Sequence, residues 1–440
     1  MKKLFFLALL FCISGLFLFA EGDDFGFDDN AKAEAKSVFS VDIGGAFFTG
    51  VTFFFNDGKN IKNTGLGLPL YGSLHLQAKA PLSEAYFGIK LSDKTLPIDL
   101  GTQPKLFQEH LLPLWIEQGY MQVLAGPVIF GGGIKKITWS RAEKLSVLDI
   151  VNPMDYSDPS VRNTEHIKIP EPMFYLSAYL PKDMKIEAVF LPVFEGHRLA
   201  ADDKFNSFEP SINIKNIHRR LKTNTLEYFQ GGARYTANAK GIHDFGLQYF
   251  YGFLPLPSFK IGTAETVYAY NRYHQIGFDY GLQIGNVANL KTEIAANITQ
   301  DIKAEDPYIY NPNIAWTAGF DFSAAYNITV QIYGSGIVRL FQNGEKKDLL
   351  SSGIEKTLKP ADTTVQFVFL QKVLRGSLEW KVSVMSGIED GDFLISPGIN
   401  WLLGSVVIDA EAGFFGGNKT GKLGRHYKNM FIKLGIGYEF

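Results

Sequence analysis

From about residue 38 onward the chain alternates apolar and polar residues in segments of roughly ten. Between Asp244 and Phe253, Phe245, Leu247, Tyr249, Tyr251 and Phe253 fall on one face, with Asp244, Gly246, Gln248 and Gly252 on the other. The same period runs from Gln275 to Ile284, where Ile276, Phe278, Tyr280, Leu282 and Ile284 oppose Gln275, Gly277, Asp279, Gly281 and Gln283. From Ala315 to Ala324, Trp316, Phe320 and Phe322 oppose Thr317, Gly319, Asp321 and Ser323. Successive strand side chains point to opposite faces, so each segment predicts a strand with one oily and one wet surface.

Tight connections fall near Pro81–Ser83, Gly126–Pro127, Pro181–Met184, Ala239–Ile242, Gly285–Ala288, Ala325–Asn327, Leu374–Gly376 and Leu402–Gly404. Longer polar stretches lie between them, at 57–69, 93–116, 140–172, 195–225, 255–270, 301–313, 340–361, 388–391 and 415–427. Short and long connections alternate without a break. With one strand before the hairpins and one after, the pattern predicts an all-β, antiparallel, up-and-down transmembrane barrel of about 18 strands, 16 being the alternative count. Short turns then face the periplasm and long loops the outside.

A soluble β-sandwich also alternates, but three features favour the membrane. The segments are long, their oily faces are rich in rings suited to interfacial girdles, and an export signal stands in front of them. Residues 1–20 combine Lys2-Lys3, an apolar run from Leu4 to Phe19 and small Ala20, the parts of a signal peptide. Residues 21–37 are acidic and small and predict a disordered periplasmic segment, leaving 38–440 for the barrel. The one cysteine, Cys12, lies inside the signal, so disulfides and thiolate metal sites are not expected in the exported chain. The C-terminal segment alternates Met430, Ile432, Leu434, Ile436, Tyr438 and Phe440 with Lys433, Gly435, Gly437 and Glu439. It resembles the terminal strand by which barrel-assembly machinery recognises its clients, which makes Tyr438 and Phe440 the expected assembly signal.

Charge changes the picture only inside the barrel. Lys plus Arg number 43 against 45 for Asp plus Glu, so no basic excess points to nucleic acid. The polar faces put Lys185, Glu187, Arg234, Asp279, Lys291, Glu293, Asp321, Arg339, Glu379 and Lys381 on the lumen wall. Neighbours such as Lys185/Glu187, Lys291/Glu293 and Glu379/Lys381 suggest charge ladders of both signs, which argues against a phosphate-type anion pore. A barrel of this size has a lumen too wide for wall side chains to fill. Loop 140–172, read as the longest, is the candidate constriction. Leu145, Val147, Leu148, Ile150 and Val151 could dock it, while Arg141, Lys144, Asp149, Asn152, Asp155 and Asp158 could form a polar eyelet.

The same stretch carries a resemblance. Gly133-Ile-Lys135-Lys136-Ile-Thr138-Trp139, followed by Val147-Leu148-Asp149-Ile-Val151-Asn152-Pro153-Met-Asp155-Tyr156, resembles a pattern in alginate-export-like and related outer-membrane barrels. There a strand ending in Trp-Gly leads into a loop with Asp-x-x-Asn-Pro-x-Asp. Here Ser140 replaces the Gly. The resemblance implies that Asp149, Asn152 and Asp155 mark an inward loop, and it names no substrate.

Catalytic and cofactor motifs fail. Gly416–Lys422 approaches a phosphate-binding loop, but Leu423 stands where a Ser or Thr would hold magnesium, and a strand is expected next. The eight histidines show no metal-ligand spacing. No enzyme, cofactor or metal is expected. The expected partners are outer-membrane lipid, the assembly machinery and small solutes; oligomeric state is left open. The expected function is a porin-like channel for small polar solutes. An adhesin or structural barrel using its outer loops, or a carrier of hydrophobic substrates, are the alternatives.

Overall fold

The computed structural model describes residues 39–55, 66–67, 70–92, 115–142, 145–157, 167–199, 221–261, 266–306, 308–340 and 359–440. The expected signal peptide, the acidic segment, Lys144 and Asp158 lie outside the described residues.

Eighteen strands form the wall: β1 Ser40–Phe55, β2 Leu70–Ala80, β3 Ser83–Ser92, β4 Ile116–Ala125, β5 Val128–Lys135, β6 Glu171–Leu180, β7 Met184–Leu191, β8 Gln230–Ala239, β9 His243–Phe253, β10 Arg272–Ile284, β11 Ala288–Thr299, β12 Asn313–Ala324, β13 Ile328–Arg339, β14 Ala361–Val373, β15 Leu378–Gly387, β16 Asp392–Leu403, β17 Val406–Gly417 and β18 Met430–Glu439. Each pairs antiparallel with its neighbours in the chain, and the two-residue strand Leu66–Gly67 adds to β1. β18 returns to β1 in continuous register from Ala46↔Glu439 to Phe55↔Met430, and the sheet closes on itself. Closure removes the unpaired edge that a bilayer could not hydrate. Beyond the last strand residue, Phe440 exchanges two backbone hydrogen bonds with Gly45, of 3.0 and 2.9 Å.

The two faces follow the alternation. Leu247, Ile276, Phe278, Ile294 and Phe320 lie exposed on the outside, whereas Gln248, Gln275, Asp279 and Glu293 are between 1% and 3% exposed within. A water-soluble protein reverses that order. An oily outside around a polar inside, on a sheet closed by strand pairing all the way round, is the arrangement a bilayer selects.

Every expected tight turn is present. At four of them consecutive residues take left-handed backbone, Lys182-Asp183, Lys240-Gly241, Tyr326-Asn327 and Leu374-Arg375, with φ between 51° and 71°, as tight hairpin connections favour. Two details differ from expectation. The connection from Leu191 to Gln230 is longer than the one from Lys135 to Glu171, so the third loop is not the longest. A short 3₁₀ segment, Gly424–Asn429, also stands before β18 where a strand was expected at once. A small hairpin, Ser258–Ile261 with Thr266–Ala269, occupies the outer loop after β9. Its Phe259 and Tyr268 join Phe194, Leu199, Phe253 and Tyr270 in an apolar cluster that ties the outer loops together.

Candidate functional site

The third loop leaves β5 at Lys135 and is shaped first by its own residues. Asn152 clamps its two ends together. Its Nδ2 donates to the carbonyls of Lys135 (3.0 Å) and Ile169 (2.9 Å), and its Oδ1 accepts from Ile137 N–H (2.7 Å). Asp149 pairs with Lys168 at 2.8 Å, both nearly inaccessible, and Lys168 also donates to Thr138 Oγ1. Burial pushes the Asp149 carboxyl above the ordinary range, against the pull of Lys168. Asp155 accepts from Ser157 N–H (3.0 Å) and meets Arg198 at 3.7 Å. His197 Nδ1 accepts from Met154 N–H at 2.8 Å, which fixes a neutral ring protonated at Nε2, and burial pushes its pKa down to about 3. Residues 192–199 of the next loop therefore brace the third.

Residues 139–142 and 145–151 lie against the inner wall of β8–β12 and are held there by one carboxylate. Glu293 on β11 accepts six hydrogen bonds: from Ser140 Oγ, Arg141 N and Ala142 N on one oxygen, and from Ser146 Oγ, Val147 N and Leu148 N on the other, at 2.8 to 3.3 Å. Hydrogen bonds to a charged group contribute about 1.5–3 kcal/mol each, and more is lost when a buried donor is left unmet. Gln248 and Gln275 donate to the carbonyls of Leu148 and Val147 at 3.0 and 3.2 Å, and Thr317 donates to that of Leu145. Arg141 reaches Asp279 at 2.6 Å and Asp244 at 3.2 Å. Arg234 takes the other Asp279 oxygen at 2.7 Å across the intervening strand. Gly246 makes that bridge possible, because a Cβ there would lie 1.9 Å from Asp279 Oδ2. At Gly277 a Cβ would come within 2.4 Å of Leu148 Cδ2, so the wall is hollowed where the loop seats.

Apolar contacts complete the seat. Trp139 and Val151 pack with Met173, Tyr175, Val189, Leu191, Phe250 and Tyr273, all less than a tenth exposed. Leu148 packs on Ala295 and Ala315. Beside the loop lies a polar cavity of about 270 Å³, lined among others by Thr138, Ser140, Arg141, Lys185, Glu187, Arg234 and Asp244.

The expected lumen charges stand on the inner face but pair differently in part. Lys185 meets Glu187 at 2.8 Å as expected. Lys291 meets Asp321 on β12 at 2.8 Å, which leaves Glu293 to the loop, and Glu379 meets Lys372 at 3.7 Å, not Lys381. Lys372 and Glu379 stand directly opposite each other and Lys291 and Asp321 are diagonal neighbours on adjacent strands, whereas Lys185 and Glu187 pair along one strand. Arg339 Nη1 donates to the Lys359 carbonyl at the outer rim. Of the six expected eyelet residues, Arg141 fronts the cavity, whereas Asp149, Asn152 and Asp155 build the loop. Sequence reasoning did not single out Lys168 or Ser146, whose partners leave no local trace, and it read His197 as an incidental loop residue, whereas its ring braces Met154. Among the described residues no cluster of His, Cys, Asp and Glu could hold a metal ion.

A closed antiparallel barrel, greasy outside, charged within and partly filled by a loop, is a transmembrane barrel of the bacterial outer-membrane type. Solved structures share this fold. OccK9 (OpdG) of Pseudomonas aeruginosa superposes with a TM-score of 0.53 at 9% identity, over 92% of this chain and 98% of that one. OpdQ of the same organism gives 0.52 at 11% identity over 91% and 98%. A BenF-like porin from Pseudomonas fluorescens Pf-5 gives 0.52 at 9% identity over 91% and 98%. No family model matches the chain, and no curated protein matches it in sequence. The shared fold and the lipid-compatible outer surface place the chain in the bacterial outer membrane.

Proposed function

We propose that the protein is a porin-like channel for small polar solutes, with the third loop as its constriction. The observation that carries this is Glu293: six donors from two turns of the loop converge on one wall carboxylate, a cost no merely external cap would need. Loop and wall together narrow the lumen on the β8–β12 side, while Lys372, Glu379 and Lys381 on β14 and β15 stay hydrated. Arg141, Lys185, Glu187 and Arg234 would meet a passing solute at the cavity, and Asp149, Asn152 and Asp155 would keep the loop rigid enough to select by size. Charges of both signs in a narrow passage favour polar solutes without strong discrimination by sign. Export by residues 1–20 and recognition of Tyr438 and Phe440 by the assembly machinery belong to the same proposal. The purified full-length protein in a planar bilayer should give discrete, reproducible conductance steps. An adhesin or structural barrel would insert and give none, which would overturn the channel reading.

A further inference from the structure

At its outer end, the inner face of β16–β18 and β1 holds apolar side chains where an open lumen would wet them. Phe54 on β1, Leu394 on β16, Phe415 on β17 and Phe431 on β18 are between 0% and 4% exposed. The register sets Phe54 opposite Phe431 and Leu394 opposite Phe415. Their chain neighbours Phe53, Ile395, Phe414 and Ile432 lie exposed on the outside, so these four point inward and are covered from within. Leu423 of the last outer loop packs against this cluster, and the His426 ring lies 5.6 Å from that of Phe415.

A wall carboxylate again holds the loop. Asp392, the first residue of β16 and 1% exposed, accepts on Oδ2 from Leu423 N–H (2.7 Å) and Gly424 N–H (3.0 Å). Beside it Asp390 accepts from Lys422 N–H at 3.3 Å, Lys422 Nζ pairs with Asp362, and Asn418 N–H donates to the Gly391 carbonyl at 3.1 Å. The glycines follow from this closeness. A Cβ on Gly421 would lie 2.3 Å from Asp392 Oδ2, and one on Gly424 would lie 2.0 Å from the Asn418 carbonyl oxygen. The likeness of Gly416–Lys422 to a phosphate-binding loop thus has a physical sense. Backbone N–H groups of a glycine-rich turn wrap an anion, and here the wall supplies it.

The two seats are staggered along the passage. Glu293 stands midway along β11, whereas Asp392 opens β16 at its outer end. They also lie across the barrel from each other: β10, at the middle of one seat, and β18, in the other, are eight strands apart one way round the ring and ten the other. We propose that the last outer loop is a second narrowing of the passage, at its outer mouth, with Asp392 as the positioning residue that sets how large a solute can enter. The proposal rests on the channel reading. Otherwise the loop would only roof the four apolar side chains and stand clear of the current.

The test uses the full-length protein in planar bilayers, with neutral polyethylene glycols of graded size added to one side at a time. The largest polymer that still lowers conductance measures the opening on that side. In Asp392→Ala two buried N–H groups lose their acceptor, and the cutoff on the outer side should move to a larger polymer while the periplasmic cutoff stays at the wild-type size. Asp392→Asn keeps an acceptor oxygen of the same reach and should stay near wild type. A second arm holds even if the alanine variant does not assemble. With Cys12→Ser removing the sequence's one native cysteine, Lys419→Cys offers a single thiol on the loop. A bulky, membrane-impermeant thiol reagent added from the outer side should then reduce the current irreversibly. An unchanged outer cutoff in an assembled Asp392→Ala barrel, an equal shift of both cutoffs, or complete labelling of Lys419→Cys without loss of current would each overturn the second narrowing and leave the channel standing. Absence of any conductance step would instead overturn the channel reading beneath it.

Discussion

The inner faces of β8–β12 and of β14–β18 come from the same alternation and yet end in different states. On β8–β12 the inward Gln248, Gln275, Asp279 and Glu293 are nearly inaccessible, because the third loop covers them. On β14–β18 the inward Lys372 and Lys381 remain exposed and Glu379 partly so. Polar residues facing inward are thus a rule of the barrel, but what they face is not. Under the loop they are one half of a folded interface, with partners set to a few tenths of an ångström. Elsewhere on the wall the inward Lys372, Glu379 and Lys381 are solvated charges whose pairs are loose and screened within about 8 Å at physiological salt, although Gln366 and Val368 of β14 and Asp392 and Ser396 of β16 are buried.

That difference can be broken most sharply at Glu293. Glu293→Ala strips acceptors from four backbone N–H groups and two hydroxyls, at about 1–3 kcal/mol for each donor left buried. The loop should leave the wall, and single-channel current should become larger and noisier. Glu411→Gln on the open wall, where the carboxylate accepts from Ser396 at 3.0 Å, should shift ion selectivity slightly toward anions and leave the current steady. Equal behaviour of the two variants would dissolve the distinction.

A weaker cut compares two glycines. Gly277→Val drives a side chain into Leu148, which is fully buried, and should loosen the seat by about 1–3 kcal/mol, seen as added open-channel noise. At Gly398 a Cβ would meet the flexible Lys381 side chain at 3.0 Å and the Ala410 carbonyl only at an ordinary 3.5 Å, so Gly398→Val should change little. Comparable noise in both variants would argue against a tightly packed seat.

The smallest effect is that of acid. His197 is held neutral in the folded loop with its pKa near 3, against about 6.5 when exposed. The folded state then binds fewer protons than the unfolded between these values. Its contribution is complete above about pH 6.5 and is lost as pH falls through the window toward 3. Lowering pH from 7 to 5 should increase brief fluctuations of the current, and His197→Gln should remove that pH dependence. Identical fluctuations at both pH values in wild type would contradict it.

How much of this was written in the sequence depends on range. The strands, their faces and the turns follow from period-2 patterning and turn residues within a window of ten, so β9, β10 and β12 were readable directly. The shape of the third loop was half readable, because Asp149, Asn152 and Asp155 sit in a recognisable string. Its seat was not. Glu293 read as one more wall charge, and nothing near it in the chain announces partners some 150 residues away. The inward apolar residues Met173, Val189, Leu191 and Phe250 interrupt the expected wet face for the same reason: they pack on Trp139 and Val151, not on water. The seat of the last loop escaped because Asp392 and Leu423 are 31 residues apart and meet only once β16 and β17 have paired.

The most direct test of the constriction is the conductance of a barrel whose third loop is shortened, residues 140–168 being replaced by a brief Gly-Ser turn. The shortened protein must first show heat-modifiable migration and β-rich circular dichroism in detergent, so that assembly is secured. Single-channel conductance should then rise by about twofold or more, because the loop covers the β8–β12 side of the lumen. An assembled barrel whose conductance stays at the wild-type value would mean that the loop does not limit the passage, and would contradict the account.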